Sequence, residues 1–307
     1  MPVDPDLDRF NTEVAAVVPW PAVRTPEARR NRMEAIARRF PGPADAVVRT
    51  DHWLVLNGRE LLVRLYRPQA GRLAALLYLH GGGWAAGSVT THDGACATLA
   101  QDAGIVVASV QYRRTPENPW PAPNDDCYAA LQWLAGHAAT FDIDARSLGV
   151  GGDSAGAHLA IGVALEARER RGPALALQLL VYPVVEPDFE TSSYREHAET
   201  ATLTRADMME YWRLYLPPGT TQADNRALPG RASLQGLPPA CVVVAGMDPL
   251  CDEGRQFAAR LRAAGVDASV IEAPTMTHGF LRAAPYVAAA RESQQQLNAV
   301  VRRRLRA

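Results

Sequence analysis

The sequence predicts one α/β domain on a mainly parallel, eight-stranded sheet. Three observations carry that expectation: short apolar runs alternate with segments of helical spacing along most of the chain, a hairpin pattern precedes them, and two glycine-rich stretches each follow directly on an apolar run. At 307 residues the chain is long enough to bury one large core.

Taken in order, residues 1–45 contain the amphipathic stretch PEARRNRMEAIARRF and no strand pattern, and are assigned to an N-terminal cap segment. VVRTDHWLVLNGRELLVRLYRP follows as two alternating runs joined at Asn57 and Gly58. That dipeptide tolerates the positive φ of a tight turn, so an antiparallel hairpin opens the sheet. Apolar runs at 73–79, 105–110, 147–151, 175–182, 240–245 and 268–271 are read as six buried strands. Helical spacing fills 92–102, 124–137, 155–171, 252–264 and about 286–305. Such alternation gives parallel neighbours with helices on both faces. The stretch 185–235 breaks it: ADMMEYWRLYL is helical between Pro-rich and polar residues, and forms a second cap segment expected to fold over the sheet with the first. The core is then 46–184 together with 236–307. No repeat or long linker separates two domains.

Hydrophobic residues make up 48% and charged residues 21%, which fits neither a disordered chain nor a membrane span. The 33 acidic and 32 basic side chains leave a net charge of -1, so nothing draws the chain onto nucleic acid or an anionic membrane; neither is expected as a partner. MPVDPDLDRF has no basic n-region and no apolar h-region, and a cytoplasmic location is expected. Cys96, Cys127, Cys241 and Cys251 are widely spaced without a C-x-x-C pair, which argues against zinc and against a disulfide framework.

The sharpest local signal is GGDSAG, Gly151 to Gly156, between the strand pattern LGV and the helical AHLAIGVALEAR. Gly152, Ser154 and Gly156 make G-x-S-x-G in a strand-turn-helix context. A serine nucleophile has to stand on a turn too sharp for side chains at the two glycine positions, and the following helix aims its N-terminal N–H groups at charge developing beside it. A serine also needs a base to take its proton and a third group to orient that base. Downstream, VVVAGMDPL ends a strand pattern with Asp248, and VIEAPTMTHGF ends the next with His278. Asp252 and Glu253 compete with Asp248, but they open a helix, where carboxylates commonly cap. His158, on the helix after Ser154, is read as a packed residue; His52, His92, His137 and His197 are read as structural or surface residues. HGGGWAAG, His80 to Gly87, places Gly81, Gly82 and Gly83 after a strand. Glycines there let backbone N–H groups come to about 2.7–3.1 Å from an oxyanion, worth about 3–4 kcal/mol per donor. A phosphate cradle is the rival reading, but the stretch lacks the G-K-[ST] ending.

With those residues in hand, the chain resembles the bacterial hormone-sensitive-lipase-like carboxylesterases of the α/β-hydrolase superfamily, in the branch with the GDSAG motif. The resemblance rests on HGGGW, QYRRTPENPWPAP, GGDSAGAHLA, AGMDPLCDEG and THGF, in that order and spacing. It implies the α/β-hydrolase fold with a helical cap, Ser154 as nucleophile, His278 as base and Asp248 as its orienter. The N–H groups of Gly82, Gly83 and Ala155 would form the oxyanion hole, His80 would brace the loop, and Asp153 would act locally. Arg114 and Thr115 stand where the family usually has Leu-Ala, and Ala157 where it usually has glycine. A homodimer through the last strand and helix is also implied.

The chemistry expected is acyl transfer from a small-molecule ester to Ser154 and then to water, with no metal or organic cofactor. Because the base acts as neutral imidazole, activity should rise through about pH 6–7. Trp84, with the cap aromatics Tyr211, Trp212 and Tyr215, is expected to narrow the substrate pocket, to which Asp153 and Tyr182 are also assigned, so that acyl chains of about C2 to C6 would fit; the alternative for Trp84 is an ordinary buried core residue. The alternatives are an amide or acetyl deacylase or a dehydratase on the same scaffold, and a non-catalytic small-molecule receptor. The receptors resembling this family lack the triad histidine, and His278 is present here.

Overall fold

A computed structural model describes residues 1–20, 22–42, 47–220 and 224–305. Two helices come first, α1 (Pro5–Val17) and α2 (Pro26–Arg39). Each begins with proline at its first position, behind a cap: Asp4 accepts the N–H groups of Asp6 and Leu7 at 3.0 Å, and Thr25 accepts that of Ala28 at 3.1 Å. The hairpin is β1 (Val48–Leu56) and β2 (Arg59–Arg67), paired Leu56 to Arg59 across a turn in which Gly58 has φ 77°.

Alternation then sets in, with β3 (Leu73–Leu79), α3 (Asp93–Ala103), β4 (Val106–Val110), α4 (Ala122–Gly136), β5 (Ile143–Asp153), α5 (Ala155–Glu169) and β6 (Leu177–Val181). After β6 the chain leaves the sheet through α6 (Ser192–Glu196) and α7 (Arg205–Tyr215). It returns as β7 (Ala240–Met247), α8 (Cys251–Ala263), β8 (Ala268–Thr277) and α9 (Ala288–Leu305). The eight strands lie in the order β1-β2-β4-β3-β5-β6-β7-β8, with only the β1–β2 and β2–β4 pairs antiparallel.

Continuous apolar runs are needed because both faces of the sheet are covered. In β3, Leu77 and Leu79 join the core under α4, α5 and α7, while Leu76 and Tyr78 join the core under α1, α3 and α9. From β3 the chain crosses to β4 on one side, and β5 lies on the other. Ligands in open α/β sheets bind at such a reversal, outside the carboxyl ends of the strands. The tripeptide Gly81 to Gly83 follows β3 and Ser154 follows β5, so both glycine motifs meet there.

Two strands outrun their expected length. β5 begins at Ile143, where a register shift against Leu73 breaks the pattern, and β8 extends six residues past Ile271 to Thr277. The extension EAPTMT holds a proline and polar residues because β8 is the sheet's edge, where one side needs no ladder partner. The segments assigned to a cap touch: Arg29 of α2 donates to Asp207 of α7 at 2.7 Å and to the Tyr211 hydroxyl at 3.0 Å. No helix among the described residues is long and apolar enough to cross a membrane.

Candidate active site

β5 ends at Asp153 and α5 begins at Ala155, so Ser154 is the turn itself, with φ 56° and ψ −122°. An L-residue in such a region costs about 1–3 kcal/mol and stays there only when its surroundings over-determine it. Here the Ser154 N–H donates to the Val181 carbonyl at 2.8 Å, and the end of β3 presses on the turn. A Cβ at Gly152 would lie 2.1 Å from the Leu79 carbonyl oxygen, and one at Gly156 would lie 1.9 Å from the same atom. Both glycines of G-x-S-x-G are therefore fixed by one backbone oxygen.

His278 Nε2 lies 2.9 Å from Ser154 Oγ, and His278 Nδ1 lies 2.7 Å from Asp248 Oδ2. Asp248 is fully buried, and its other oxygen accepts the Leu250 N–H at 3.0 Å. A carboxylate only accepts, so the imidazole proton belongs on Nδ1 and the Nε2 lone pair is left toward the serine. The Tyr182 ring packs on the imidazole at 4.7 Å between centroids.

The competing carboxylates are engaged elsewhere. Asp252 accepts the Ser193 N–H at 2.9 Å, and Glu253 accepts those of Val185 and Glu186 at 2.7 and 3.0 Å. They tie the chain after β6 to α8 instead of capping their own helix. Burial pushes the Glu253 carboxyl up to about 8, against the pull of its two N–H donors. A carboxyl raised from an ordinary 4.5 stabilises the fold fully below that value and loses the contribution as pH climbs to about 8. Glu253→Gln, which keeps an acceptor for both N–H groups, is therefore expected to flatten the fall in melting temperature between about pH 5 and 8; an unchanged slope would place the proton elsewhere.

The glycine loop is held from several sides. Asp153 accepts the Gly81 N–H at 3.1 Å and the Tyr78 hydroxyl at 2.8 Å, with His92 Nε2 3.3 Å away. Burial alone would raise the Asp153 carboxyl, but the His92 ring and these donors hold it well below the usual carboxylate range. His80 is buried and stacked on Tyr112 at 4.2 Å, with Nδ1 at 3.0 Å from the Gly81 carbonyl. Burial, with His92 nearby, lowers it to about 3, so it stays neutral and serves as a brace. Gly82 and Gly83 adopt φ of 124° and 60°, and their N–H groups have no protein acceptor among the described residues. Ala155 opens α5, where the N–H has no intrahelical partner. Among the described residues, these three N–H groups near Ser154 have no protein acceptor.

A cavity of about 90 Å³ adjoins Ser154, walled by Gly82, Gly83, Leu203, Met208, Tyr211 and Arg282. Beyond Asp153 and His92 a second one of about 520 Å³ opens, and Tyr182 lines it beside Tyr78. Asp153 and Arg282 belong to the walls of both. Tyr211 lies hard on the loop, since a Cβ at Gly83 would be 2.2 Å from its ring.

Trp84, Trp212 and Tyr215 are the correction. None of them lines either cavity; Trp84 is fully buried, stacked on Tyr215 at 4.3 Å, with Trp212 at 4.8 Å. Trp84 Nε1 donates to His158 Nδ1 at 3.3 Å, and His158 Nε2 donates to the Ala227 carbonyl at 3.0 Å. Trp84 has φ 56°, and its ring is packed in the core with α5 and α7. Sequence reasoning missed His92 and the arginines of the cavity wall, Arg29, Arg32 and Arg282. A histidine twelve residues after His80 and an arginine four after His278 carry no motif of their own.

Residues 76–282 match the model of a family described as having the alpha/beta hydrolase fold. Carboxylesterase NlhH of Mycobacterium tuberculosis is 39% identical over 255 residues, spanning 81% of this chain and 80% of that protein. The chain belongs to the hormone-sensitive-lipase-like carboxylesterases of the α/β-hydrolase family. An ethyl acetate hydrolase of Pseudomonas putida is 36% identical over 298 residues, covering 92% of this chain and 93% of that one. The crystal structure of a thermostable esterase from Pseudomonas putida superposes with a TM-score of 0.92 at 30% identity, covering 100% of this chain and 98% of that one. Like its carboxylesterase relatives, the chain is a carboxylic ester hydrolase. Two of the three positions that depart from that family's usual pattern, Arg114 and Thr115, lie on the glycine loop's support. Arg114 donates to the Gly87 carbonyl at 2.8 Å and the Thr115 N–H to the Trp84 carbonyl at 2.9 Å, while Ala157 is buried in α5.

Proposed function

We propose that this ester hydrolase acts on small, short- to medium-chain acyl esters through Ser154, His278 and Asp248. The observation that carries the reading is one imidazole bridging a buried carboxylate at 2.7 Å and a strained serine hydroxyl at 2.9 Å. Ser154 attacks the ester carbonyl as His278 Nε2 takes its proton; the same proton passes to the departing alcohol, and an acyl-serine remains. Water then attacks with His278 again as base. Asp248 keeps the Nδ1 proton in place and stabilises the imidazolium, while the N–H groups of Gly82, Gly83 and Ala155 receive the oxyanion. With Trp84, Trp212 and Tyr215 withdrawn from the wall, the short-chain preference rests on Leu203, Met208 and Tyr211 around a cavity of about 90 Å³.

The test is hydrolysis of p-nitrophenyl esters from acetate to laurate near pH 8. Turnover should be highest among the short chains and should rise between about pH 6 and 7. An inert protein that still binds such esters would favour the receptor reading. The edge position of β8 favours a homodimer through β8 and α9, which light scattering decides. All four cysteines are free and buried, which supports the cytoplasm as its location, and a net charge of -1 supports a small molecule, and neither nucleic acid nor a membrane surface, as its partner.

A further inference from the structure

The wall of the cavity beside Ser154 carries three arginines, Arg29, Arg32 and Arg282, against one carboxylate, Asp153. Asp153 and Arg29 already have partners within the protein. Asp153 is occupied by Tyr78, Gly81 and His92, and Arg29 by Asp207 at 2.7 Å, a carboxylate it shares with Arg24 at 3.2 Å. Arg32 and Arg282 are different. Arg32 is half-buried; its Nε donates to the Val18 carbonyl at 3.0 Å and its guanidinium lies over the Trp20 ring at 4.0 Å, with no carboxylate within 4.0 Å among the described residues. The Arg282 side chain has neither a hydrogen bond nor an ion pair among the described residues. Burial, then the charges of Arg282 and Arg24, lower Arg32 to about 10.

A lone exposed arginine is ordinary, because water solvates it. Two that repel each other across a small cavity, one of them half out of water, leave an excess of positive charge on a wall whose one carboxylate, Asp153, is already taken up by hydrogen bonds. Guanidinium groups answer a planar carboxylate with paired N–H donors, and the field is strongest where water is partly excluded. Arg282 sits in the single turn Phe280–Ala283 that follows His278, so its distance from the base is fixed by four residues of chain.

We infer that the preferred ester of this enzyme carries a carboxylate, held by Arg32 and Arg282 while the ester carbonyl lies at Ser154. The inference rests on the esterase reading of Ser154 and adds the substrate's charge to it.

Two matched pairs test it and tell which half of the ester bears the charge. Mono-p-nitrophenyl glutarate against p-nitrophenyl pentanoate puts the carboxylate on the acyl side; 4-acetoxybenzoate against its methyl ester puts it on the alcohol side. The wild type should show a kcat/KM about tenfold higher for the anionic member of one pair, and about 0.5 M NaCl should shrink that ratio. Arg282→Gln, at an exposed position, should lower the ratio, and Arg32→Gln with Arg282→Gln should bring it near one. Arg302→Gln, the same charge change on the exposed end of α9, should keep it. A preference for the neutral member in both pairs, or a ratio that survives the double substitution, overturns the inference and leaves the esterase reading standing if turnover still requires Ser154. Absence of turnover on all four esters and on p-nitrophenyl acetate overturns both.

Discussion

Ser154→Ala is expected to cut kcat on p-nitrophenyl acetate by about 10⁵-fold or more while leaving the melting temperature nearly unchanged. The two halves of that expectation come from different features. Activity collapses because no other hydroxyl or thiol among the described residues is hydrogen-bonded to His278: Nε2 meets Ser154 Oγ at 2.9 Å, and the four cysteines are buried. Stability survives because the strain at φ 56° belongs to the backbone, and alanine bears it as serine does. The fixed points of the turn are the Ser154 N–H on Val181 and the glycines against Leu79, none of which needs the hydroxyl. The residual rate should come from free N–H donors and binding alone, a remnant of about 10³–10⁴ over water. His278→Ala should fall to a similar level and the double variant no lower, since the groups act as one unit. Stopped-flow and steady-state assays on the same preparations decide it. A Ser154→Ala protein that keeps more than a few per cent of activity would mean that another residue is the nucleophile.

The chain displayed this site in its sequence to the extent that function is written in backbone constraint. Gly152 and Gly156 had to be glycine because Leu79's carbonyl leaves no room for a Cβ, and Gly82 and Gly83 because of their positive φ. Such needs leave a motif. Asp248 and His278 were legible for a second reason, since each follows a strand to the carboxyl edge of a parallel sheet, Asp248 directly on its apolar run and His278 after a polar stretch, and side chains of distant strands converge there. Legibility stopped where contact depends on how loops fold back. The length of β8 was hidden because an edge strand tolerates Pro274 and polar residues that read as loop. Asp252 and Glu253 looked like helix caps, yet each reaches across to the backbone after β6. Arg29, Arg32 and Arg282 come from two remote segments and share a cavity that no local pattern announces. Aromatic type alone could not tell Tyr211, one turn from Tyr215 on α7, from its neighbour: one ring covers Gly83, the other is sealed in the core.

That last distinction yields the second large effect. Trp84→Ala is expected to destabilise the fold by about 3–5 kcal/mol, with a fall in melting temperature of about 10 °C, and to leave the acyl-chain preference where it was. The ring is fully buried against Tyr215 at 4.3 Å, Trp212 at 4.8 Å and His158 at 5.0 Å, so truncation opens a void among side chains that cannot collapse far. His158 Nδ1 would also lose its donor, and a buried acceptor left empty costs about 1–3 kcal/mol. Trp84→Phe keeps most of the packing and forfeits the hydrogen bond, so it should lose less. The cluster joins three elements: Trp84 from the glycine loop, His158 from α5, and Trp212 with Tyr215 from α7, whose Tyr215 hydroxyl donates to Asn124 of α4 at 2.6 Å. It thereby seats α7 so that Tyr211 closes over Gly83. Loosening it should raise KM for every ester together, whereas a wall residue would change the order of esters. Denaturation curves beside the same p-nitrophenyl series separate the two: a shift toward longer acyl chains with stability unchanged would return Trp84 to the pocket, and lost stability with the order of esters kept assigns it to the clamp beneath.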